Sequence, residues 1–276
     1  MLPVHMFKSD PRLEEIAIEM ALPDLHRTIR YARVRCLSPS DVIARFADFA
    51  TEDDLNQYIA RLLELKLTDS ELQLLVTVME QLASQLEKSR SRTKLRIDRV
   101  LLRLVRALPS DFAVRFAEPY VDHPRKGRRR WAYVALREKH ISKEVAAKCA
   151  DSFRRTGDQE ALILIARNPE RVVHVGAEFL LKNLDDKYWR ARVLEALIVY
   201  DRVSALSWSR QYPFEFAHAV GRTGEASLVG ALGALFEENS NDLEFVSIYA
   251  YALGKIGATA ELDALDKFVQ VGWPRR

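Results

Sequence analysis

The chain has little from which to build a covalent or metal-held framework. Only two of its 276 residues are cysteine, Cys36 and Cys149, and they lie far apart. That excludes a disulfide scaffold and a Cys-rich metal site, and it fits a reducing cytoplasm. Ten glycines and ten prolines are few for this length, and most fall between apolar periodic segments. Long helices are therefore allowed, and a disordered chain is excluded. No run of about 18 apolar residues occurs to span a bilayer, and the opening MLPVHMFKSDPRLEE holds no apolar core of signal-peptide length. The expectation is a soluble, cytoplasmic protein without a membrane partner.

Signatures of chemistry are equally sparse. His5, His26, His123, His140, His174 and His218 are scattered, with no H-x-x-x-H pair and no cysteine at ligand spacing. There is no phosphate-binding P-loop, no dinucleotide glycine fingerprint and no G-x-S-x-G elbow. Cys149, in EVAAKCADSF, sits among small apolar residues and reads as a packed thiol rather than a nucleophile. No catalytic residue, metal or cofactor is expected, and a binding role is favoured over an enzymatic one.

What is present is helical periodicity. The composition is 48% hydrophobic and 29% charged, and apolar residues recur at intervals of three and four almost throughout. This predicts an all-α protein. Helix starts are marked by Ser40-Asp41 before VIARFADFA, by Thr51 with Asp54, and by Thr68 with Glu71, the last being a capping box. Further starts are expected after Pro109, Ser142, Gly157, Pro169, Asp186, Gly224, Asp242 and Thr259.

The C-terminal half carries internal similarity. Residues 166–201 can be laid over 219–257, with Gly176 over Gly230 and Leu197 over Leu253, and Ala135-Leu136 is a weaker third copy of the Ala-Leu pair. A spacing near 55 suits two helical hairpins of about 27 residues each, within the range of helical repeat arrays. The aligned glycines are expected where a neighbouring helix approaches closely. Residues 251–269, YALGKIGATAELDALDKFV, resemble a HEAT-like repeat of the short bacterial type: an apolar helix ending in Leu-Gly-x-Ile-Gly, a turn, then an amphipathic helix. The resemblance implies a right-handed α-solenoid of HEAT-like hairpins and a scaffold role. It places the whole chain, 1–276, in one domain, with 1–120 a divergent helical part and 121–276 the repeats. PRLEEIAIEMALPDL and the final helix with VGWPRR are the expected end caps.

Charge is distributed unevenly. Lys88 to Arg155 carries 20 Lys and Arg against 7 Asp and Glu, leaving 22 against 32 elsewhere from the totals of 42 and 39. Within this basic stretch, RSRTKLRIDRVLLRLVR places Arg92, Arg96, Arg99, Arg103 and Arg106 within about 40° of one line on a helix, opposite an apolar face of Ile97, Leu101, Leu104, Val105 and Leu108. No carboxylate lies on that line, and like charges at this spacing repel by about 0.2 to 0.5 kcal/mol per pair. A solvated face or an acidic neighbouring helix would also account for the stripe. A second cluster, Arg125, Lys126, Arg128, Arg129 and Arg130, is read as a turn around Gly127 leading into a helix. The two clusters form the expected partner-binding surface. An acidic protein is its favoured occupant and nucleic acid the alternative, since both reward clustered cations.

The chain is also similar in size, helicity and charge to the HEAT-like DNA glycosylases, which remove alkylated purines using tryptophans beside an essential aspartate. That similarity directs attention to Trp189, preceded by Asp185 and Asp186, and to Trp208. It is broken where Arg190 follows Trp189 and the next acid is Glu195.

Overall fold

A computed structural model describes residues 29, 32–46, 52–88, 99–106 and 108–272, and every described element is helical. The chain divides into two compact units, Met1–His140 and Ile141–Arg276. The opening acidic segment, Thr51, Arg92, Arg96, Ile97 and the last four residues lie outside the described residues.

In unit 1, α1 (Pro39–Arg45), α2 (Glu52–Glu64) and α3 (Asp69–Lys88) are followed by a helical stretch at 99–106, then α4 (Ser110–Ala117) and α5 (Lys126–Leu136). The cap of α1 is Ser38, whose hydroxyl accepts from Asp41 N, and not Ser40. Pro39 decides this, because it lacks an N–H and its fixed φ suits the first helical position. The capping box of α3 forms as the residues predict: Thr68 N donates to Glu71 Oε2 at 2.8 Å and Glu71 N donates to Thr68 Oγ1 at 3.3 Å.

The core of unit 1 follows the apolar periodicity. Leu101, Leu104, Val105 and Leu108 are buried, as are Leu75, Met79 and Leu82 of α3. Trp131 of α5 is also buried, and its ring meets Tyr120 edge-on at 5.8 Å, while Tyr120 touches Phe116 of α4 at 5.4 Å. Each such aromatic or leucine stabilises the fold by roughly 1.5–3 kcal/mol through burial.

Unit 2 alternates two kinds of helix. The elements are α6 (Lys143–Thr156), α7 (Gln159–Ala166), α8 (Pro169–Val175), α9 (Ala177–Asn183), α10 (Lys187–Tyr200), α11 (Arg202–Trp208), α12 (Pro213–Thr223), α13 (Val229–Asn239), α14 (Leu243–Ile256) and α15 (Thr259–Gly272). Helices α6, α8, α10, α12 and α14 form a row in which each packs on the next, most extensively from α10 to α12 and from α12 to α14. The intervening helices pack back on this row.

The internal similarity has a structural counterpart in α10 and α14. Each has 14 residues and begins after an aspartate, Asp186 or Asp242, whose side chain accepts from the next two helical N–H groups but one. Leu197 and Leu253 occupy equivalent last-turn positions, and each carbonyl accepts the capping N–H, from Asp201 and Gly257 respectively. The aligned glycines do not behave as expected. Gly176 lies between α8 and α9 at φ +99, Gly230 lies exposed on α13, and neither has a neighbour within 4 Å of where a Cβ would stand. The close approach is at Gly221 of α12, where a Cβ would meet Ala252 Cα and Tyr251 Cε1 of α14, each at 2.9 Å.

Three helix starts, those of α9, α11 and α12, go unread in the sequence, although Asp201 caps α11 and Pro213 opens α12. Helices α9 and α12 lack a side-chain cap, and α11 follows α10 after the single residue Asp201, so the periodicity runs on through the break.

Candidate functional site

The basic region of unit 1 splits into outward and inward groups. Arg99, Arg103 and Arg106 are exposed on the stretch 99–106, opposite its buried leucines, and Arg99 and Arg103 have interaction partners within the chain. The second cluster is not a turn, because α5 already begins at Lys126 and Gly127 is helical. One helical turn sends consecutive side chains in all directions. Lys126 and Arg130 accordingly face solvent, whereas Arg128 and Arg129 are buried, at 6% and 4% exposure.

Those two arginines hold the fold. The Arg128 guanidinium lies over the Trp131 ring at 4.2 Å and donates to the Ala83 carbonyl of α3. Arg129 Nη1 donates to the carbonyls of His123 at 2.9 Å and Pro124 at 3.0 Å. Their place on a partner-binding surface is corrected to an interior one. Arg125 is exposed just before α5, with its backbone N–H donated to His123 Nδ1 at 3.1 Å. The first turn of α5 contains no acid and begins with Lys126, so a cation stands at the positive end of the helix dipole.

Lys126, Arg130 and Val134 succeed one another at one-turn spacing along α5. Val134 opens on a cleft of about 370 Å³ lined also by Arg106, Ala135, Arg137, Glu138 and Lys139. The cleft thus joins the end of the arginine stripe to the end of the α5 row. Lys126, Arg130 and Arg106 form no ion pair among the described residues. Arg137 and Lys139 went unread in the sequence, although Arg137 lies two turns beyond Arg130 on the same face. The aromatics of this region do not accompany the cations outward: Trp131 and Tyr133 are buried, and the Tyr133 hydroxyl donates to the Val121 carbonyl.

A second charged assembly, in unit 2, has no counterpart in the sequence reading. On the exposed side of α10 and α12, Glu195 accepts from Arg192 Nη1 at 2.6 Å through Oε2, and its Oε1 lies 2.5 Å from Arg222 Nε. His218, one turn before Arg222, stacks on Tyr251 of α14 with ring centroids 5.7 Å apart. Burial, and then the nearby Arg222, push the His218 pKa down, with Arg192 acting in the same direction against Glu195. Lys187 at the start of α10 passes over the Phe214 ring of α12 at 4.6 Å and pairs with Glu244 of α14 at 3.0 Å. Apart from Arg192 and Glu195, three residues apart on α10, the partners are 27 or more residues apart in sequence, so no local pattern announces them.

The residues singled out by glycosylase similarity have structural duties. Asp186 Oδ1 accepts from Tyr188 N at 2.8 Å and Trp189 N at 3.2 Å, which makes it the cap of α10. Trp189 is half-buried between the Tyr188 ring edge, at 4.9 Å, and the Arg167 guanidinium, at 5.2 Å. Cys149 is fully buried, and burial pushes its thiol up to about 12. Among the described residues, no group of three or more His, Cys, Asp or Glu is placed to hold a metal ion, and no helix is long and apolar enough to cross a membrane.

No protein-family model, curated protein or solved structure matches the chain.

Proposed function

We propose that the chain is a non-catalytic scaffold, a right-handed α-solenoid of HEAT-like hairpins, that holds an acidic segment of a partner protein on the basic face of unit 1. The observation that carries this reading is the run of Lys126 and Arg130 along α5 into the cleft beside Arg106, exposed cations without an ion-pair partner among the described residues. Like-charged neighbours are unfavourable unless an anion relieves them, and guanidinium forks suit carboxylates. The repeat reading is supported by the 56-residue correspondence of Asp186 with Asp242 and by the row of alternate helices in unit 2.

A protein occupant is preferred to single-stranded nucleic acid because the aromatics that would stack on bases are buried in the core of unit 1. The test is fluorescence anisotropy with a dye-labelled glutamate-rich peptide and with single- and double-stranded oligonucleotides, each across a NaCl series. Binding of the peptide at low salt, weakened about tenfold or more by Lys126→Glu with Arg130→Glu, is the expected result. Tighter oligonucleotide binding with a steep salt slope would transfer the site to nucleic acid. If neither probe binds at low salt, the reading fails.

A further inference from the structure

We propose that the exposed face of α10, α12 and α14 in unit 2 is a second, separate binding surface, which takes a short extended acidic segment of a partner polypeptide with Arg222 as its carboxylate anchor. Three adjoining ridges make the face: Tyr188, Arg192 and Glu195 on α10; Phe214, His218 and Arg222 on α12; Ser247, Tyr251 and Lys255 on α14. These helices pack closely on one another, while the helices behind them, α11, α13 and α15, pack chiefly on the row. The Lys187–Glu244 pair, closed over Phe214, braces the same side at the helix starts.

Its anchor is prepared by its own partners. Glu195, only 14% exposed, accepts from Arg192 Nη1 and stands within ion-pair distance of Arg222. Arg222, whose side chain is 32% exposed, makes this one ion pair among the described residues and can offer guanidinium N–H groups to a second carboxylate. Such bidentate pairs combine strength with fixed orientation. Beside the fork, the Tyr251 ring lies against the α12 backbone, a position open only because residue 221 is glycine, and His218 stacks on it with an interplanar angle of 22°. Tyr188 and Tyr251 are 46% and 39% exposed, so aromatic surface flanks the cations on both sides. This pairing of arginine with rigid aromatics is the composition of protein-binding hot spots.

Charge and size select the occupant. Arg192, Arg222 and Lys255 stand against Glu195, while Lys187 and Glu244 cancel. An excess of two cations matches two or three carboxylates and falls short of what a long polyphosphate chain rewards. Three helices spaced about 9 Å apart offer roughly 18–20 Å of track, enough for about six extended residues.

The experiment is selection of random eight-residue peptides, displayed on phage, on the full chain carrying Lys126→Glu with Arg130→Glu, which closes the unit 1 face. The most enriched peptide is then synthesised with a dye and its affinity measured by anisotropy. Enrichment of acidic sequences is expected, with affinity reduced about tenfold or more by Arg222→Gln and several-fold by Lys255→Glu in that background. Lys255 is exposed at the edge of the face, so its reversal reads charge even if Arg222→Gln lowers the melting temperature. No acidic enrichment, an affinity indifferent to both unit 2 variants, or tighter binding of a dT oligonucleotide that Lys255→Glu abolishes would each overturn the assignment. Failure of the unit 1 reading would appear separately, in the Lys126 and Arg130 variants.

Discussion

Arg190 and Glu215 join α10 to α12 through an ion pair of 2.7 Å in which the carboxylate is only 4% exposed. Arg190 also donates to the Leu184 carbonyl at 3.1 Å, and its guanidinium lies 4.9 Å from the Tyr212 ring centroid. A buried pair of this kind is costly to break, because removing one partner leaves the other charge without compensation in a poor solvent. Glu215→Ala is expected to destabilise the protein by about 3–5 kcal/mol, and the double replacement Arg190→Met with Glu215→Leu by much less. Urea unfolding followed by circular dichroism measures both. A loss below about 1 kcal/mol for the single variant would show that the pair contributes little.

Two glycines should respond in opposite senses to the same substitution. At Gly221 an added Cβ meets the Ala252 Cα and the Tyr251 ring at 2.9 Å, so Gly221→Ala is expected to cost about 1–3 kcal/mol by overpacking α12 against α14. At Gly233, inside α13, nothing lies within 4 Å, and Gly233→Ala should stabilise by about 0.5–1 kcal/mol through helix propensity. Thermal melts of the two variants against the parent chain decide the point.

The reciprocal bonds of Thr68 and Glu71 make α3 sensitive at the residue that caps it. Thr68→Ala is expected to lose about 1 kcal/mol, and Thr68→Ser to lose little, because serine keeps the accepting hydroxyl. Equal losses in the two variants would point to the threonine methyl rather than the cap.

The two thiols differ in reactivity by burial alone. Cys36 is exposed, whereas Cys149 is enclosed and its thiol is pushed up to about 12. At pH 8 in the native state, iodoacetamide should label Cys36 and spare Cys149, with both labelled in urea. Peptide mass spectrometry reads the sites. Rapid native labelling of Cys149 would contradict its packing.

His218 carries a pH dependence whose sign follows from its surroundings. Its pKa is depressed from the ordinary 6.5 by burial and by Arg222. As pH falls below 6.5 the unfolded chain takes up a proton that folded His218 resists. This contribution to stability is therefore complete above that pH and is lost as pH drops through it toward the lower folded value. Melting temperature should decline from pH 7.5 to pH 5.5, and His218→Gln should flatten that decline. A variant with an unchanged pH profile would place the titration elsewhere.

Much of the secondary structure was legible because its causes are local. The apolar spacing of Leu101, Leu104 and Val105 fixed the buried side of their helix, and the Thr68–Glu71 box lies within four residues. Asp186 and Asp242 likewise announce α10 and α14. The failures have local causes too. Pro39 shifted the cap of α1 to Ser38, the uncapped start of α9 left no mark in the residue pattern, and that of α12 is marked only by Pro213 at its first position.

The basic face of unit 1 was read only in part. Counting charges located the basic stretch, and helical phase put Arg99, Arg103 and Arg106 outward. The phase of α5, set by where that helix begins, turned Arg128 and Arg129 into the core and kept Lys126 and Arg130 at the surface. Once α5 starts at Lys126 the difference is a matter of 100° per residue.

Sequence alone determined that this chain is helical, where most of its helices begin and which sides of them are apolar, since these depend on neighbours within one or two turns. Tertiary structure decided which helices adjoin. That choice placed Arg192, Glu195 and Arg222 in one cluster, set Tyr251 against Gly221, and brought Arg106 to the end of α5. Such contacts depend on the register of whole helices against one another, which the summed packing of the core fixes and no short stretch of residues encodes.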